Sequence, residues 1–370
     1  MTAGPFRPTV AVVDLDAVRH NVRAMKPPDA ELMAVVKANG YGHGDVPVAK
    51  AALEAGATWL GVALVEEGLR LREAGIAAPA LVLSEPPRGA EKEALAAGLT
   101  LTLYTEEGLV SVAEVAEAMG GSTPVHVKID TGMHRVGLAP ELARDFCLRV
   151  LESGLDLQGV WTHFAVAEEP DDPSGRIQLD RFREALDDLA GAGIRPRYRH
   201  AANSAAVVAL PESHFDLVRV GIAAYGILPG PSLEGRVDLR PAMSLRSQVS
   251  LVKRVAAGQA VSYGLRYRLT RESTVATVPV GYADGYHRAA SGRAEVLIRG
   301  HRYPVAGTVT MDQITVDCGD DPVRPGDEVV LFGRQEEDEI RAEELAGWAG
   351  TIGYEVVCAV SDRVPREYRA

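Results

Sequence analysis

The residues best placed to do chemistry lie in one short stretch, 34–44, AVVKANGYGHG. The apolar run Ala34, Val35, Val36 ends in a single lysine, Lys37. A loop follows with glycine at every second position, Gly40, Gly42 and Gly44, broken by Tyr41 and His43. A short apolar run bounded by turn residues predicts a buried strand. Lys37 then falls where a buried strand surfaces into a flexible loop. A lysine in that place is either a solvated strand end or an amine partly stripped of water. In the second case its pKa falls, which suits it to Schiff-base chemistry with a carbonyl.

The elements that must position it follow from the pattern around it. A strand-like run at 9–13 comes first, and Asp14 or Asp16 caps a helical stretch carrying Val18, Val22 and Met25. Strand-like runs then fall near 32–37, 59–63, 79–83, 100–104, 124–130, 157–163, 197–201 and 216–221. Helical runs lie between most of them, at 46–55, 65–74, 106–119, 141–153 and 176–191. Eight strands in βα alternation predict a (β/α)8 barrel of the TIM type, an α/β fold, over 1–240. A doubly wound open sheet is the alternative, but no GxGxxG fingerprint accompanies it. From about 241 to 370 the helical runs give way to β-rich segments punctuated by Gly and Pro, which predicts a separate all-β domain. Residues 229–241 form a plausible linker, a short helix is expected near 341–349, and the run at 9–13 could join the second domain.

Ionisable residues recur at one place in these units. Lys37 ends the first barrel strand, Lys128 and Asp130 the fifth, His163 the sixth, His200 the seventh and Arg219 the eighth. The C-terminal strand ends of a barrel share one mouth, where active sites sit. One such residue is weak evidence; five strand ends converging on a mouth point to a shared site. Barrels often bind phosphate after strands seven and eight. Here those loops carry Asn203-Ser204 and Gly221-Ile222, offering a hydroxyl at a helix start and backbone N–H groups at close approach.

Composition narrows the classes. The 370 residues are 46% hydrophobic and carry a net charge of −12. That is enough to bury a full core, and the acidic surface argues against nucleic acid or an anionic membrane as main partner. Cys147, Cys318 and Cys358 fit no metal or disulfide spacing, so no metal site is expected. With neither a signal pattern nor a membrane-length apolar run, the expectation is a cytoplasmic protein.

At this point nine segments, in order, resemble the alanine racemase family, whose members are pyridoxal 5'-phosphate (PLP) enzymes of fold type III. They are VVKANGYGHG (35–44), KIDTGMHRVG (128–137), THFA (162–165), HAANSAA (200–206), VRVGIAAYG (218–226), VSYG (261–264), PVGYADGYHR (279–288), GTVTMDQITVD (307–317) and GYEV (353–356). The resemblance implies that Lys37 holds PLP as an aldimine and that Tyr41, Ser204, Gly221, Ile222 and Tyr354 hold its phosphate. Arg219 would face the pyridine nitrogen, donating a hydrogen bond and leaving that nitrogen unprotonated. His163 and His200 would support the ring and Arg219. Racemisation needs a proton removed from one face of Cα and returned on the other, and the resemblance makes Lys37 and Tyr263 the two bases. On its own Tyr263 reads as a strand aromatic.

The resemblance further implies a homodimer in which Tyr263 and the Met311 segment reach the neighbouring subunit's site. Arg135 would anchor the substrate carboxylate and Met311 would contact the substrate through its backbone, with Asp312 a structural partner. In some members the lysine matching Lys128 is carbamylated. Tyr282 and Arg288 match entrance-channel residues, and Thr310 stands where many relatives have cysteine. The implied activity is interconversion of L- and D-alanine, supplying D-alanine for peptidoglycan. A broad-specificity or serine-preferring racemase is the nearest alternative. A PLP decarboxylase and a non-catalytic PLP-binding protein fit less well: the first typically faces the pyridine nitrogen with a carboxylate, the second typically lacks the β domain.

Overall fold

The computed structural model describes residues 6–370; residues 1–5, assigned from sequence to the start of the barrel domain, lie outside the described residues. The chain divides into two compact units. One comprises 18–40 and 45–240; the other comprises the chain up to Ala17, residues 41–44, and 241–370.

The strand β1 (Val10–Asp14) precedes the first unit in sequence. That unit's strands are β2 (Glu31–Val35), β3 (Trp59–Val62), β4 (Ala80–Val82), β5 (Thr100–Leu103), β6 (Pro124–Lys128), β7 (Asp156–Trp161), β8 (Tyr198–His200) and β9 (Leu217–Val220). They form one 8-stranded parallel sheet in the order β8-β7-β6-β5-β4-β3-β2-β9. Asp216 and Arg219 donate backbone N–H bonds to the carbonyls of Arg199 and Ala202, at 3.1 and 3.0 Å, and nearly close the barrel between β8 and β9. The strands are buried on both faces, so they read as continuous apolar runs; all four residues of β3 are buried. Inside, Met33, Trp59, Leu81, Tyr198 and Leu217 form one cluster.

The helices follow from local chemistry. Over Glu106–Ala118, the Thr105 hydroxyl accepts the Gly108 N–H, and Glu106 and Glu107 occupy the first turn, where the helix dipole favours anions. Leu109, Val112 and Ala116, at helical spacing, form its buried stripe. Between the sequence's two candidate caps, the structure selects Asp14, whose carboxylate accepts the Ala17 N–H at 2.9 Å.

In the second unit β1 pairs antiparallel with β10 (Met243–Gln248) and parallel with Arg366–Arg369. The sheet continues through Glu328–Gln335 and Glu295–Ile298 to His301–Pro304. Beside it lies a 3-stranded sheet of Leu251–Val255, Ser273–Val278 and Ile314–Asp317. Two helices follow, Ala342–Ala349 and Gly353–Ala359. The sequence pattern marks only the first, because Val356 and Val357 give the second a strand-like composition.

Leu81 is fully buried in the barrel cluster. Leu81→Ala should therefore destabilise the chain by about 2–5 kcal/mol, seen as a lower midpoint in urea unfolding with an unchanged slope.

Candidate active site

Lys37 does not end a strand. The ladder stops at Val35, and Lys37 opens a tight turn over Lys37–Tyr41. Ala38, Asn39 and Gly40 have φ of 53°, 53° and 59°, the left-handed region. Such a turn costs roughly 1–2 kcal/mol per non-glycine residue, so the expected flexible loop is instead a strained, fixed one. Three acceptors hold it. Gly40 N–H reaches the Val36 carbonyl at 2.8 Å. Asn39 Oδ1 accepts the Asp45 N–H at 3.2 Å. The buried Glu67 carboxylate accepts the N–H groups of Ala38 (2.7 Å), Ala63 (2.8 Å) and Leu64 (3.2 Å). The sequence reading missed Glu67. Its signal was a glutamate at the third position of the helix Val65–Glu73, the place from which a side chain reaches back to the helix start.

On β9, the strand paired with β2, Arg219 is 3% exposed. Its guanidinium donates to the carbonyls of Thr162 (2.7 Å) and Ala201 (2.8 Å), and to Nδ1 of His200 (3.1 Å) and His163 (3.2 Å). Among the described residues no carboxylate pairs with it. Burial lowers its pKa to about 9, which leaves it charged at neutral pH. Burial first, and then the charge of Arg219, hold His163 and His200 well below the usual histidine range. Both rings are therefore neutral.

Lys128, the last residue of β6, is 4% exposed. Burial pushes its pKa down to about 7, assisted by Arg135, Arg219 and Lys37 and opposed by Asp130. Its Nζ stands 4.5 Å from the centre of the Trp161 ring, and the Arg219 guanidinium carbon 4.8 Å from it. Trp161 also stacks on His200 with 5.6 Å between ring centres. Trp161 was not singled out from sequence, where it looks like one more apolar strand residue.

Arg135 is exposed on the loop after β6. Asp130 shapes that loop by accepting the N–H groups of Gly132, His134 and Met133. Burial raises the Asp130 pKa, and these three bonds more than offset it. After β8, Asn203 caps Ser204–Ala209 and the buried Ser204 Oγ accepts the Gly221 N–H at 2.9 Å. Ser204, Gly221 and Ile222 thus share one corner. Ile222 opens a helical turn, so its N–H has no acceptor within that turn.

In the second unit Tyr41 and Tyr354 lie with ring centres 6.4 Å apart. Tyr263 is not on a strand. It sits in the turn Tyr263–Leu265, between paired strands Ala260–Val261 and Tyr267–Arg268. Ser262 and Leu265 have φ of 64° and 48°. Ser262 Oγ donates to the Thr308 carbonyl at 2.6 Å, and Thr308 Oγ1 donates to the Tyr263 carbonyl at 2.8 Å. Strain held by such bonds fixes the Tyr263 turn, while the side chain is 75% exposed. A cavity of about 390 Å³ is lined by Ser262, Tyr263, Thr310 and Gln313, among others. Tyr282 and Ala283 N–H groups bond to the carbonyls of Thr310 and Met311 at 2.9 and 3.1 Å. Asp312 pairs with Arg363 at 2.7 Å.

The barrel mouth gathers a buried guanidinium, two neutral imidazoles and a lysine amine of lowered pKa, a set of donors able to hold an anion. The family models described as alanine racemase N-terminal domain and C-terminal domain match residues 13–229 and 242–368. The chain belongs to the alanine racemase family. It is 53% identical to the alanine racemase of Symbiobacterium thermophilum, covering 98% of this chain and 97% of that one. It is 47% identical to that of Frankia casuarinae over 99% and 97%. Among solved structures, alanine racemase from Streptomyces lavendulae superposes with a TM-score of 0.94 at 45% identity, covering 100% of this chain and 98% of the other. The Bacillus anthracis enzyme with bound L-Ala-P does so at 0.92 and 40%, covering 100% and 96%.

Lys128 has a consequence for stability. With a folded pKa near 7 against 10.5 for an exposed lysine, the unfolded chain binds more protons across that window. Its contribution to stability therefore rises with pH from about 7 to 10.5. Comparing wild type with Lys128→Met by urea unfolding at pH 7 and pH 9.5 should show this extra gain in the wild type alone.

Proposed function

We propose that this chain interconverts L-alanine and D-alanine with PLP as cofactor, working as a cytoplasmic homodimer that supplies D-alanine for peptidoglycan. The observation that carries the reading is Arg219, a buried cation without an anionic partner among the described residues, beside neutral histidines at a lysine-bearing barrel mouth. The donor set fits the cofactor. Ser204 and the Gly221 and Ile222 backbone, with Tyr41 and Tyr354, would hold the phosphate, and the Lys37 amine would join the aldehyde. Arg219 would donate to the ring nitrogen, with His163 and His200 supporting it. When bound, PLP supplies an electron sink that makes the substrate's Cα proton acidic.

The chain's own groups do the rest. Arg135 and the Met311 backbone hold the substrate carboxylate, with Asp312 tying the Met311 turn to Arg363. Lys37 and Tyr263 serve opposite faces of Cα, one removing the proton while the other returns one. A guanidinium donates a hydrogen bond to the ring nitrogen without releasing its proton, whereas a carboxylate would accept one from a protonated ring nitrogen and stabilise that form. That supports racemisation over decarboxylation or transamination. A neutral Lys128 amine is also nucleophilic toward CO2: attack forms a carbamate and releases one proton. The product would be an anion able to brace Arg135, turning a repulsion into an attraction.

Exposure of Tyr263 (75%), Leu265 (63%) and Met311 (51%) supports a partner subunit covering this loop. A mixing experiment tests both the site residues and their arrangement. Lys37→Ala and Tyr263→Phe should each be inactive in racemisation. Unfolding and refolding them together at equal amounts should restore about a quarter of wild-type activity, because half the dimers are mixed and each has one intact composite site. No recovery from the folded, mixed dimer would contradict the shared site. Lys37→Ala should also lose the visible absorbance of the lysine-bound cofactor.

A further inference from the structure

Behind His200, away from Arg219, stands a second fully buried imidazole, His126 on β6. Its Nδ1 lies 2.9 Å from His200 Nε2, and its Nε2 lies 3.3 Å from Gln158 Oε1 on β7. Two features show that the place is built for this ring. The β6–β7 register slips after Val125, so that Leu157 faces Val125 and Gly159 faces His126, leaving Gln158 as an extra residue. Such bulges re-aim a side chain. A Cβ at Gly159 would stand 2.7 Å from the His126 ring, so only glycine leaves the ring its space. Trp59 and Tyr198 flank His126, and Trp161 lies flat on His200.

The hydrogens in this row can be assigned. A guanidinium only donates, so His200 Nδ1 accepts from Arg219. Neutral His200 then carries its hydrogen on Nε2 and donates it to His126 Nδ1. His126, which burial holds neutral with a pKa of about 3, therefore carries its own hydrogen on Nε2 and donates it to the Gln158 carbonyl. Every bond from Arg219 to Gln158 runs in one direction. Reversing any link would set an N–H against an Arg219 N–H. Arg219 is the only charged group facing either ring among the described residues.

We propose that His126 and Gln158 are positioning residues for racemisation: they hold His200 in the one tautomer and ring orientation that accepts from Arg219, and thereby aim Arg219. The effect on reaction outcome rests on the function proposed above; the tautomers do not. If His200 loses its acceptor, its ring can turn and Arg219 loses a fixed partner. Control of the ring nitrogen then weakens, and alanine and the cofactor aldehyde are more often converted to pyruvate and the cofactor amine.

The test begins with 15N-histidine NMR of the full-length chain as purified, from pH 5 to 8. Wild type should show pH-independent neutral rings for His126, His163 and His200, with the hydrogen of both His126 and His200 on Nε2. In His126→Phe the His200 signal should move toward a mixture of tautomers, and His126→Asn, which restores a carbonyl acceptor, should bring it back. The ratio of pyruvate to opposite-isomer alanine should rise about tenfold in the Phe variant, the value of roughly one hydrogen bond, and fall again in Asn. Should His126→Phe not fold, Gln158→Leu removes the acceptor at the half-buried end and should shift the His126 signal. A hydrogen on Nδ1 of either wild-type ring, or a Phe variant with unchanged His200 signal and ratio, overturns the proposal. Correct tautomers in a chain that racemises nothing would support the ordered row and overturn the functional reading instead.

Discussion

The site depends on one buried positive charge that has no negative partner among the described residues. Burying an isolated ion costs several kcal/mol even after relaxation. For Arg219 that cost is offset only by neutral acceptors: two backbone carbonyls and two imidazole nitrogens. The constraint spreads outward. Added to burial, which acts first, it helps to keep His163 and His200 neutral and to depress Lys128. It also orders the row of hydrogens that ends at Gln158. A carboxylate at any of these places would satisfy Arg219 and spoil it as a donor to a bound ligand.

A second constraint is strain. Lys37 and Tyr263 both sit beside residues with positive φ, Ala38 and Asn39 in one case, Ser262 and Leu265 in the other. In each unit the strain is held by nearby groups that satisfy the backbone: Glu67 and Asn39 for the first turn, Ser262 and Thr308 for the second. A lysine on an ordinary loop would lose orientation with every opening motion. Here the backbone has few alternatives, so the amine stays at the mouth.

Much of this was legible in the sequence. Eight βα repeats gave the barrel within one or two residues at each strand, because strands buried on both faces are continuous apolar runs flanked by amphipathic helices. The strand-end positions of Lys128 and His200 followed from that register, whereas Arg219 lies one residue inside the end of β9 and Asp130 and His163 lie two residues beyond the ends of β6 and β7. Other features were not legible. The left-handed turn after Val35 looks like a glycine-rich loop, since no local signal separates a fixed positive φ from a free one. Tyr263 resembles a strand residue because its neighbours are β-formers. His126, Gln158 and Trp161 are hidden inside apolar strands. Their pairing is non-local, and the bulge that aims Gln158 has no sequence mark beyond Gly159.

The central claim, that these groups together racemise alanine, is tested most directly by incubating the PLP-loaded protein with L-alanine in D2O. D-alanine and Cα deuterium are followed together, beside parallel reactions with serine and other amino acids. The account predicts fast formation of D-alanine carrying solvent deuterium at Cα, with much slower turnover of the others. Cofactor bound but no exchange into any amino acid would contradict it.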